Sequence, residues 1–303
     1  MKAVKNGSKR PLVSLIVLTY NGRDDTLAFL ESLRCTDYTN YELILVDNAS
    51  SDGTVEEVRS RFPGMKVVEN DENLGFAGGM NVGVRESRGK YVVMLNNDMI
   101  AAQKEWLSLL VDAAEADERI GIAIPMVLYY GTDKIESLGK AVPNFLTKIT
   151  ATTSLLAHKE KDRGQFKEIV DIAAGNGLVR HDLFDRIGFL DEKMFIYFEE
   201  TDFSYRARKS GYRIVCEPKS KIWHKGSATI KEGSYFAVYH GYKNKIRFIL
   251  KDYDGFSKIV ALLFNAAYYP FLVVKYVLKG RLELSRAVID GVAWNLRNWK
   301  DYV

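Results

Sequence analysis

The sequence predicts an α/β fold: a mostly parallel, doubly wound sheet followed by a helical C-terminal extension. Short β-branched runs alternate with helical segments through about residue 126. Three of those runs end on polar clusters. After Gly233 the chain loses strand character and reads as helix to its end. Strands separated by helices imply parallel βαβ units, and open sheets of this kind bind ligands at the carboxyl ends of their strands. At 303 residues, 47% hydrophobic and 27% charged, the chain can hold one large α/β domain or two smaller ones.

The elements follow in order. A basic leader precedes "LVSLIVLTY"; its apolar part is one strand long and lacks a small-residue cleavage site, so it is not read as a signal peptide. The further strands are "YELILVD", "MKVVEN", "KYVVMLN" and "RIGIAIP", separated by helices such as "RDDTLAFLESLR", "SDGTVEEVRSRF" and "KEWLSLLVDAAEA". From Gly121 to about Val170 the pattern weakens, which predicts irregular or hairpin structure with a mobile loop. The stretch from Glu168 to Gly226 then supplies two or three strands around one acidic helix.

In the extension, "YFAVYHGYKNKIRFILKDY" is an amphipathic helix. "KIVALLFNAAYYPFLVVKYVLK" is apolar on all sides but interrupted by Asn265 and Pro270. Its uncharged core, Ile259 to Val274, is shorter than the ~20 residues that span a bilayer. The last helix places Val288, Val292, Leu296 and Trp299 on one stripe. The net charge of +4 is uneven: Lys243 to Val303 carries 11 Lys/Arg against 5 Asp/Glu, the rest 32 against 34. Basic residues flanking apolar helical faces suit a membrane surface, or the helices pack on the α/β part or a second subunit. A nucleic-acid partner is disfavoured, because the basic excess accompanies apolar faces rather than exposed stacking aromatics. Cys35 and Cys216 have no metal-type spacing and read as buried thiols in a reducing cytosol.

Three polar strand ends, "TYNG", "VDNASSDGT" and "LNNDM", fall on one sheet edge, a coincidence that polar turns alone do not require. Gly75, Gly78 and Gly79 open a helix containing Asn81; glycines there let backbone approach a ligand, and a helix N-terminus favours anions. The spacing is not that of a dinucleotide fingerprint. Asp98 places a carboxylate at a strand end, suited to a hard cation bridging phosphates or to a turn cap. Glu199, Glu200 and Asp202 crowd a helix start, where they serve as caps or, by mutual repulsion, raise one pKa toward that of a general base. His224 closes a later strand.

Taken together, "VSLIVLTYNGRDDTLAFLESL", "YELILVDNASSDGT", "NLGFAGGMNVG", "YVVMLNNDM", "GFLDEKMFIYFEETDFSYRARKSGYRI" and "IWHKGSA" resemble the family 2 inverting glycosyltransferases of GT-A fold, in the branch that includes rhamnosyltransferases. The resemblance spans roughly Leu12 to Ala228. It implies a catalytic domain over 1–232, with a nucleotide-sugar half at about 10–126 and an acceptor half at about 127–232, then the helical region 233–303. It implies that Thr19, Tyr20, Asn21 and Asp47 line the base and ribose pocket, with Asn73, Gly75, Gly78, Asn81 and Asn97 completing the nucleotide-sugar side. Asp98 and His224 would hold Mn²⁺ or Mg²⁺ at the diphosphate. Glu200 falls where the family has its catalytic base, with a Glu in place of the usual Asp, which leaves Asp202 as the alternative. Asn96 replaces the first carboxylate of the family's Asp-x-Asp pattern.

The implied partners are a nucleoside-diphosphate-sugar, UDP or dTDP first, and a saccharide or lipid-linked saccharide acceptor. The implied location is cytoplasmic, peripheral on the membrane face. "NFLTKITATTSLLAHKEKDRG" and "AAGNGLVR" are expected to shape the acceptor side. Two other readings compete: an inactive carbohydrate- or nucleotide-binding relative, motivated by Asn96 and Glu200, and a sugar nucleotidyltransferase. The second wants a basic Gly-rich loop after the first strand, which "TYNGRDD" matches poorly.

Overall fold

The computed structural model describes residues 10–139, 167–169, 176–226 and 233–302. The N-terminal strands are β1 (Val13–Thr19), β2 (Tyr41–Asp47), β3 (Lys66–Glu69) and β4 (Tyr91–Asn96). Helices α1 (Arg23–Ser32), α2 (Thr54–Arg61) and α3 (Gly75–Arg85) connect them. All three pairings are parallel, in the order β3-β2-β1-β4. The chain therefore reverses its winding between β1 and β4, which opens a crevice beyond the carboxyl ends of those strands. The register places Thr19 opposite Asp47 and Leu18 opposite Asn96, so the three polar strand ends do share one edge.

The second half of the sheet is mixed. Short β5 (Met99–Ala101) and helix α4 (Trp106–Glu115) lead to β6 (Ile120–Tyr129), β7 (Ile135–Ser137), β8 (Lys167–Ile169), β9 (Gly177–Arg180) and β10 (Arg213–His224). Strand β9 is inserted antiparallel between β4 and β6, and β10 lies parallel to β6 with β5 antiparallel at the edge. Between β9 and β10 come α5 (His181–Ile187) and the acidic helix α6 (Glu199–Lys209). Apolar clusters fill both faces of the sheet: Leu15, Val17, Leu45 and Trp106 on one, Ile16, Val46, Met94 and Phe203 on the other. Burial on both faces explains why these strands read as continuous apolar runs rather than alternating ones.

Helices α7 (Tyr235–Asp252), α8 (Gly255–Leu278) and α9 (Leu282–Arg297) complete the chain. Helix α8 runs unbroken through Asn265 and Pro270; Asn265 Nδ2 donates to the Ala261 carbonyl at 2.7 Å. It buries only the stripe Ala261, Asn265, Tyr269 and Leu272, and turns Phe256, Ile259, Leu263, Phe271 and Val274 outward. At 24 residues, with mean hydropathy 1.5 over its most apolar 18-residue window, it is the one helix among the described residues long and apolar enough to cross a membrane. Three readings of the sequence need correction here. Leu296 and Trp299 are exposed; the packed stripe of α9 is Leu284, Val288, Gly291 and Asn295, because Gly291 lets α9 approach the α7 backbone. The apolar helix is longer than its uncharged core and is not interrupted. Cys35 is exposed, while Cys216 is buried as expected.

Candidate functional site

The crevice at the β1–β4 switch is a cavity of about 480 Å³. Thr19, Tyr20, Asn73, Gly75 and Asn97 line it, as the sequence suggested, together with Asn48, Asn96, Phe195, Ile196 and Phe236. Its rim is held by carboxamides. Asn97 Nδ2 lies 3.2 Å from the Gly22 carbonyl and 3.1 Å from Thr26 Oγ1, joining the end of β4 to α1. A Cβ on Gly22 would meet that nitrogen at 2.3 Å, so a larger residue there would displace the Asn97 amide. Asn48, 2% exposed, donates to the Gly75 carbonyl at 3.0 Å and accepts from Asn70 at 2.8 Å. Asn73 Oδ1 accepts the Gly75 N–H at 2.9 Å. These amides seat the start of α3 at the cavity.

Other expected nucleotide-side residues stand just behind it. Asn21 is left-handed at φ 48°, and its Oδ1 accepts the Ser51 N–H at 2.8 Å, tying two rim loops together. Asp47 is 2% exposed; Oδ2 accepts the Ser50 N–H at 2.8 Å, and Oδ1 has no partner among the described residues. Neither lines the cavity. Gly78 and Asn81 are corrected more strongly. A Cβ on Gly78 would strike Leu74 at 2.7 Å, so this glycine serves packing. Asn81 is fully buried and exchanges hydrogen bonds with the Leu190 backbone at 2.9 and 3.0 Å, latching α3 to the chain before α6.

Asp98 and His224 meet: Oδ2 lies 3.2 Å from Nε2. The antiparallel β5–β10 pairing brings them together, since it sets His224 opposite Met99. Glu136, unforeseen in the sequence, holds His224 Nδ1 at 2.8 Å from β7. Burial alone would lower the imidazole pKa, but the two carboxylates outweigh it and raise it to about 10. Asp98 Oδ1 is buried with no partner among the described residues. A carboxylate oxygen and an imidazole nitrogen, oriented from behind by a second carboxylate, suit a divalent cation completed by phosphate oxygens. No cluster of three or more His, Cys, Asp or Glu positioned for a metal occurs among the described residues.

Glu200 lines a second cavity of about 690 Å³, with Tyr197, Tyr242, Lys245, Tyr268 and Tyr276. Asp98 lines neither cavity. One segment walls both: Phe195 and Ile196 face the first, Tyr197 to Glu200 the second. That segment is strained, with positive φ at Phe195, Tyr197 and Phe198. Phe195 turns at φ 66° and ψ −61°, and Ile196 N–H reaches the Met194 carbonyl at 2.8 Å, a γ-turn. Such strain persists only where the surroundings over-determine it. Here Asn244 of α7 supplies the restraint: Nδ2 lies 2.7, 2.7 and 2.8 Å from the carbonyls of Met194, Ile196 and Tyr197. His240, which burial keeps neutral, stacks on Phe195 at 5.3 Å.

Asp202 is corrected as a base. It is fully buried, and its oxygens are taken by Arg206 at 2.6 Å and Lys251 at 2.6 Å. Residues two apart on a helix are about 200° apart around its axis, so Glu200 and Asp202 cannot serve one cavity. Asn144 to Gly164, expected near the acceptor, lies outside the described residues, as do the first three residues of "AAGNGLVR"; its last four form β9. Asn48, Asn244 and Lys245 left no apolar signal in the sequence. Their only trace was polar residues on faces that helix or strand periodicity assigns to the interior.

The profile of a family described as "Glycosyl transferase family 2" matches residues 14–188. An N-acetylglucosaminyl-diphospho-decaprenol L-rhamnosyltransferase of Mycobacterium tuberculosis is 23% identical over 80% of this chain and 86% of its own. The low-salt glycan biosynthesis hexosyltransferase Agl10 of Haloferax volcanii is also 23% identical, over 94% and 91%. An uncharacterized protein, y4gI, of Sinorhizobium fredii is 28% identical over 72% of this chain; the chain spans only 25% of its length. Among solved structures, S. aureus TarS 1-349 with UDP-GlcNAc superposes at TM-score 0.62 with 19% identity, over 92% of this chain and 79% of that one. The mannosyltransferase PcManGT from Pyrobaculum calidifontis, bound to GDP-Man and Mn2+, superposes at 0.58 with 18% identity, over 95% and 88%.

Proposed function

The chain belongs to glycosyl transferase family 2 and is a glycosyltransferase of GT-A fold, and on that premise we propose that it inverts a sugar as it transfers it. The donor is a nucleoside-diphosphate-sugar, UDP or dTDP first. The acceptor is a hydroxyl of a saccharide or lipid-linked saccharide. One observation carries the reading: a single strained segment, Phe195 to Glu200, forms the wall between a nucleotide-sized cavity at the sheet edge and a second cavity containing a carboxylate. Two adjoining cavities separated by one loop suit a donor and an acceptor whose reacting atoms meet at that loop. Donors bound to TarS and PcManGT support the first assignment.

In this reading Thr19, Tyr20, Asn73 and the start of α3 hold the nucleotide, and Asn97 keeps the β4 end fixed against α1. Asp98 and His224 would hold Mn²⁺ or Mg²⁺, with Glu136 orienting the imidazole. When bound, the cation neutralises charge on the departing diphosphate. Glu200 accepts the proton of the acceptor hydroxyl as that oxygen bonds to the anomeric carbon. The bond from that carbon to the diphosphate breaks on the opposite face, and its electron pair leaves with the nucleotide. Asn244 keeps Glu200 in place through the backbone before it. The outward apolar stripe of α8, with Lys275, Lys279, Arg281 and Arg286 exposed nearby, rests on an anionic membrane surface.

A thermal-shift screen of UDP-, dTDP- and GDP-sugars with Mn²⁺ tests the donor side. Release of free nucleoside diphosphate on adding acceptor tests transfer. A chain that binds donor but never releases nucleotide is an inactive relative, and the proposal fails.

A further inference from the structure

The strained segment that carries Glu200 is gripped from a second side, by residues far along the chain. Asp191 opens the short 3-10 turn Glu192–Met194 that runs into Phe195, and its Oδ1 accepts the Lys193 N–H at 3.2 Å. Arg247 of α7 donates to both Asp191 oxygens, from Nε at 2.8 Å and from Nη2 at 3.1 Å, and both side chains are 8% exposed. A second 3-10 turn, Trp299–Tyr302, follows α9 and closes over this clamp. Asp301 Oδ2 lies 3.5 Å from Arg247 Nη1 and 2.8 Å from Lys193 Nζ, so one carboxylate touches both the clamp and the turn being clamped. The Tyr302 ring lies 5.5 Å from the guanidinium carbon. Its hydroxyl donates to Asn295 Oδ1 at 2.5 Å, and Asn295 Nδ2 donates to the Lys243 carbonyl at 2.9 Å, which ties the closing turn back to α7.

We infer that Asp301 is a positioning residue for glycosyl transfer: as the catch of a latch formed by the turn after α9, it holds Lys193 and Arg247 so that the Phe195–Glu200 segment presents Glu200 to the acceptor. This rests on the transferase reading above and adds a residue to its machinery. The Lys193 side chain is 54% exposed, and an ion pair so open to water contributes little to overall stability. Its effect is on position. Backbone at positive φ keeps that conformation only while its surroundings impose it, and a segment can open locally while the rest of the fold stays intact. Asn244 restrains this segment from Met194 onward; the latch restrains the turn ahead of it. The planar guanidinium fork on Asp191 fixes direction as well as distance, and Asp301 keeps that fork from turning. A base displaced by even a small distance loses rate steeply.

The test uses the full chain and reads four quantities: kcat from nucleotide release, donor Kd by calorimetry, melting temperature, and amide hydrogen exchange along residues 191–200. Asp301→Asn should lower kcat at least ~10-fold with donor Kd unchanged and the melting temperature moved by less than ~4 °C. Exchange should quicken at residues 195–200 and stay as it was in β1 and β4. Asp301→Glu keeps the charge and should restore most of the rate. Lys193→Met combined with Asp301→Asn should lose no more than Asp301→Asn alone, because both act through one contact; losses that multiply would give the two residues separate roles and overturn the latch. Unchanged kcat and unchanged exchange in Asp301→Asn overturn it too, as does a loss of rate explained wholly by unfolded protein. A wild type that never releases nucleotide sinks the transferase reading, and the exchange arm then still decides whether Asp301 holds the segment. Normal wild-type turnover with an indifferent Asp301→Asn sinks this inference alone.

Discussion

Asn244 Nδ2 lies 2.8 Å from the carbonyl oxygen of Tyr197, inside a run of backbone that has positive φ on both sides of Ile196. One carboxamide with two hydrogens serves three carbonyls, so its loss releases the whole turn. Asn244→Leu is expected to cost about 1–3 kcal/mol of stability. It should also lower kcat with little change in donor affinity, because the loop carries Glu200. A variant that melts early but turns over normally would reduce Asn244 to a packing residue.

Glu200→Gln should lower transfer by about 10²–10⁴-fold and leave nucleotide binding by calorimetry largely intact. Asp202→Asn is the contrasting variant. It breaks charge-assisted bonds to Arg206 and Lys251 and should cost about 1.5–3 kcal/mol in melting experiments, with the activity of the folded fraction retained. Near-normal turnover in Glu200→Gln removes Glu200 as the base.

Asp98→Ala should abolish the Mn²⁺ dependence of nucleotide binding. Glu136→Gln leaves both proposed ligands in place but loosens the imidazole, and a metal affinity about 10–100-fold weaker is the expected result. Calorimetric titration of Mn²⁺ with nucleotide present reads both. Unchanged metal dependence in Asp98→Ala would refute the site.

Asp252 gives a pH signature. Burial, then the neighbouring Asp202 carboxylate, hold its pKa well above the usual carboxylate range, while Lys251 and Arg206 pull weakly the other way. A carboxyl raised in the folded state favours folding while protonated; that stabilisation is complete below the unfolded pKa and is lost as pH rises through the folded one. Asp252→Asn stays neutral throughout. Its melting temperature should therefore gain on the wild type as pH rises from about 5 to about 9. A constant offset across that range would show that Asp252 does not titrate there.

The outward stripe of α8 can be tested without unfolding the extension. Leu263 and Phe271 are 68% and 64% exposed, so Leu263→Glu with Phe271→Glu should leave the melting temperature unchanged. Co-sedimentation with anionic liposomes should fall sharply. If liposome binding persists while a dimer dissociates, the stripe covers a second copy instead.

The strand ends were legible because parallel strands buried on both faces announce themselves by composition, and a polar cluster after each is conspicuous. Asp98 and His224 were legible separately, but their contact depends on the antiparallel β5–β10 edge, which no periodicity signals. Glu136 sits on a three-residue strand in a weakly patterned region. Asn244 and Lys245 were hidden because α7 buries His240, Lys243, Asn244, Lys245 and Arg247 alongside Phe248 and Ile249, so hydrophobicity does not reveal which of its polar residues lie inside. The Asp202 alternative could have been dismissed from helix geometry alone.

Within one turn, α7 sends Asn244 to the backbone before Glu200, Lys245 into the cavity and Arg247 to Asp191 at 2.8 Å. Asn244 and Lys245, about 100° apart, thus point in separate directions, and a rotation or slide of the helix that kept one of these contacts would break another. A chimera exchanging C-terminal regions between relatives therefore has to carry α7 with its own Asp191–Glu200 loop. A graft joined between them would install an extension whose side chains address a turn that is no longer there.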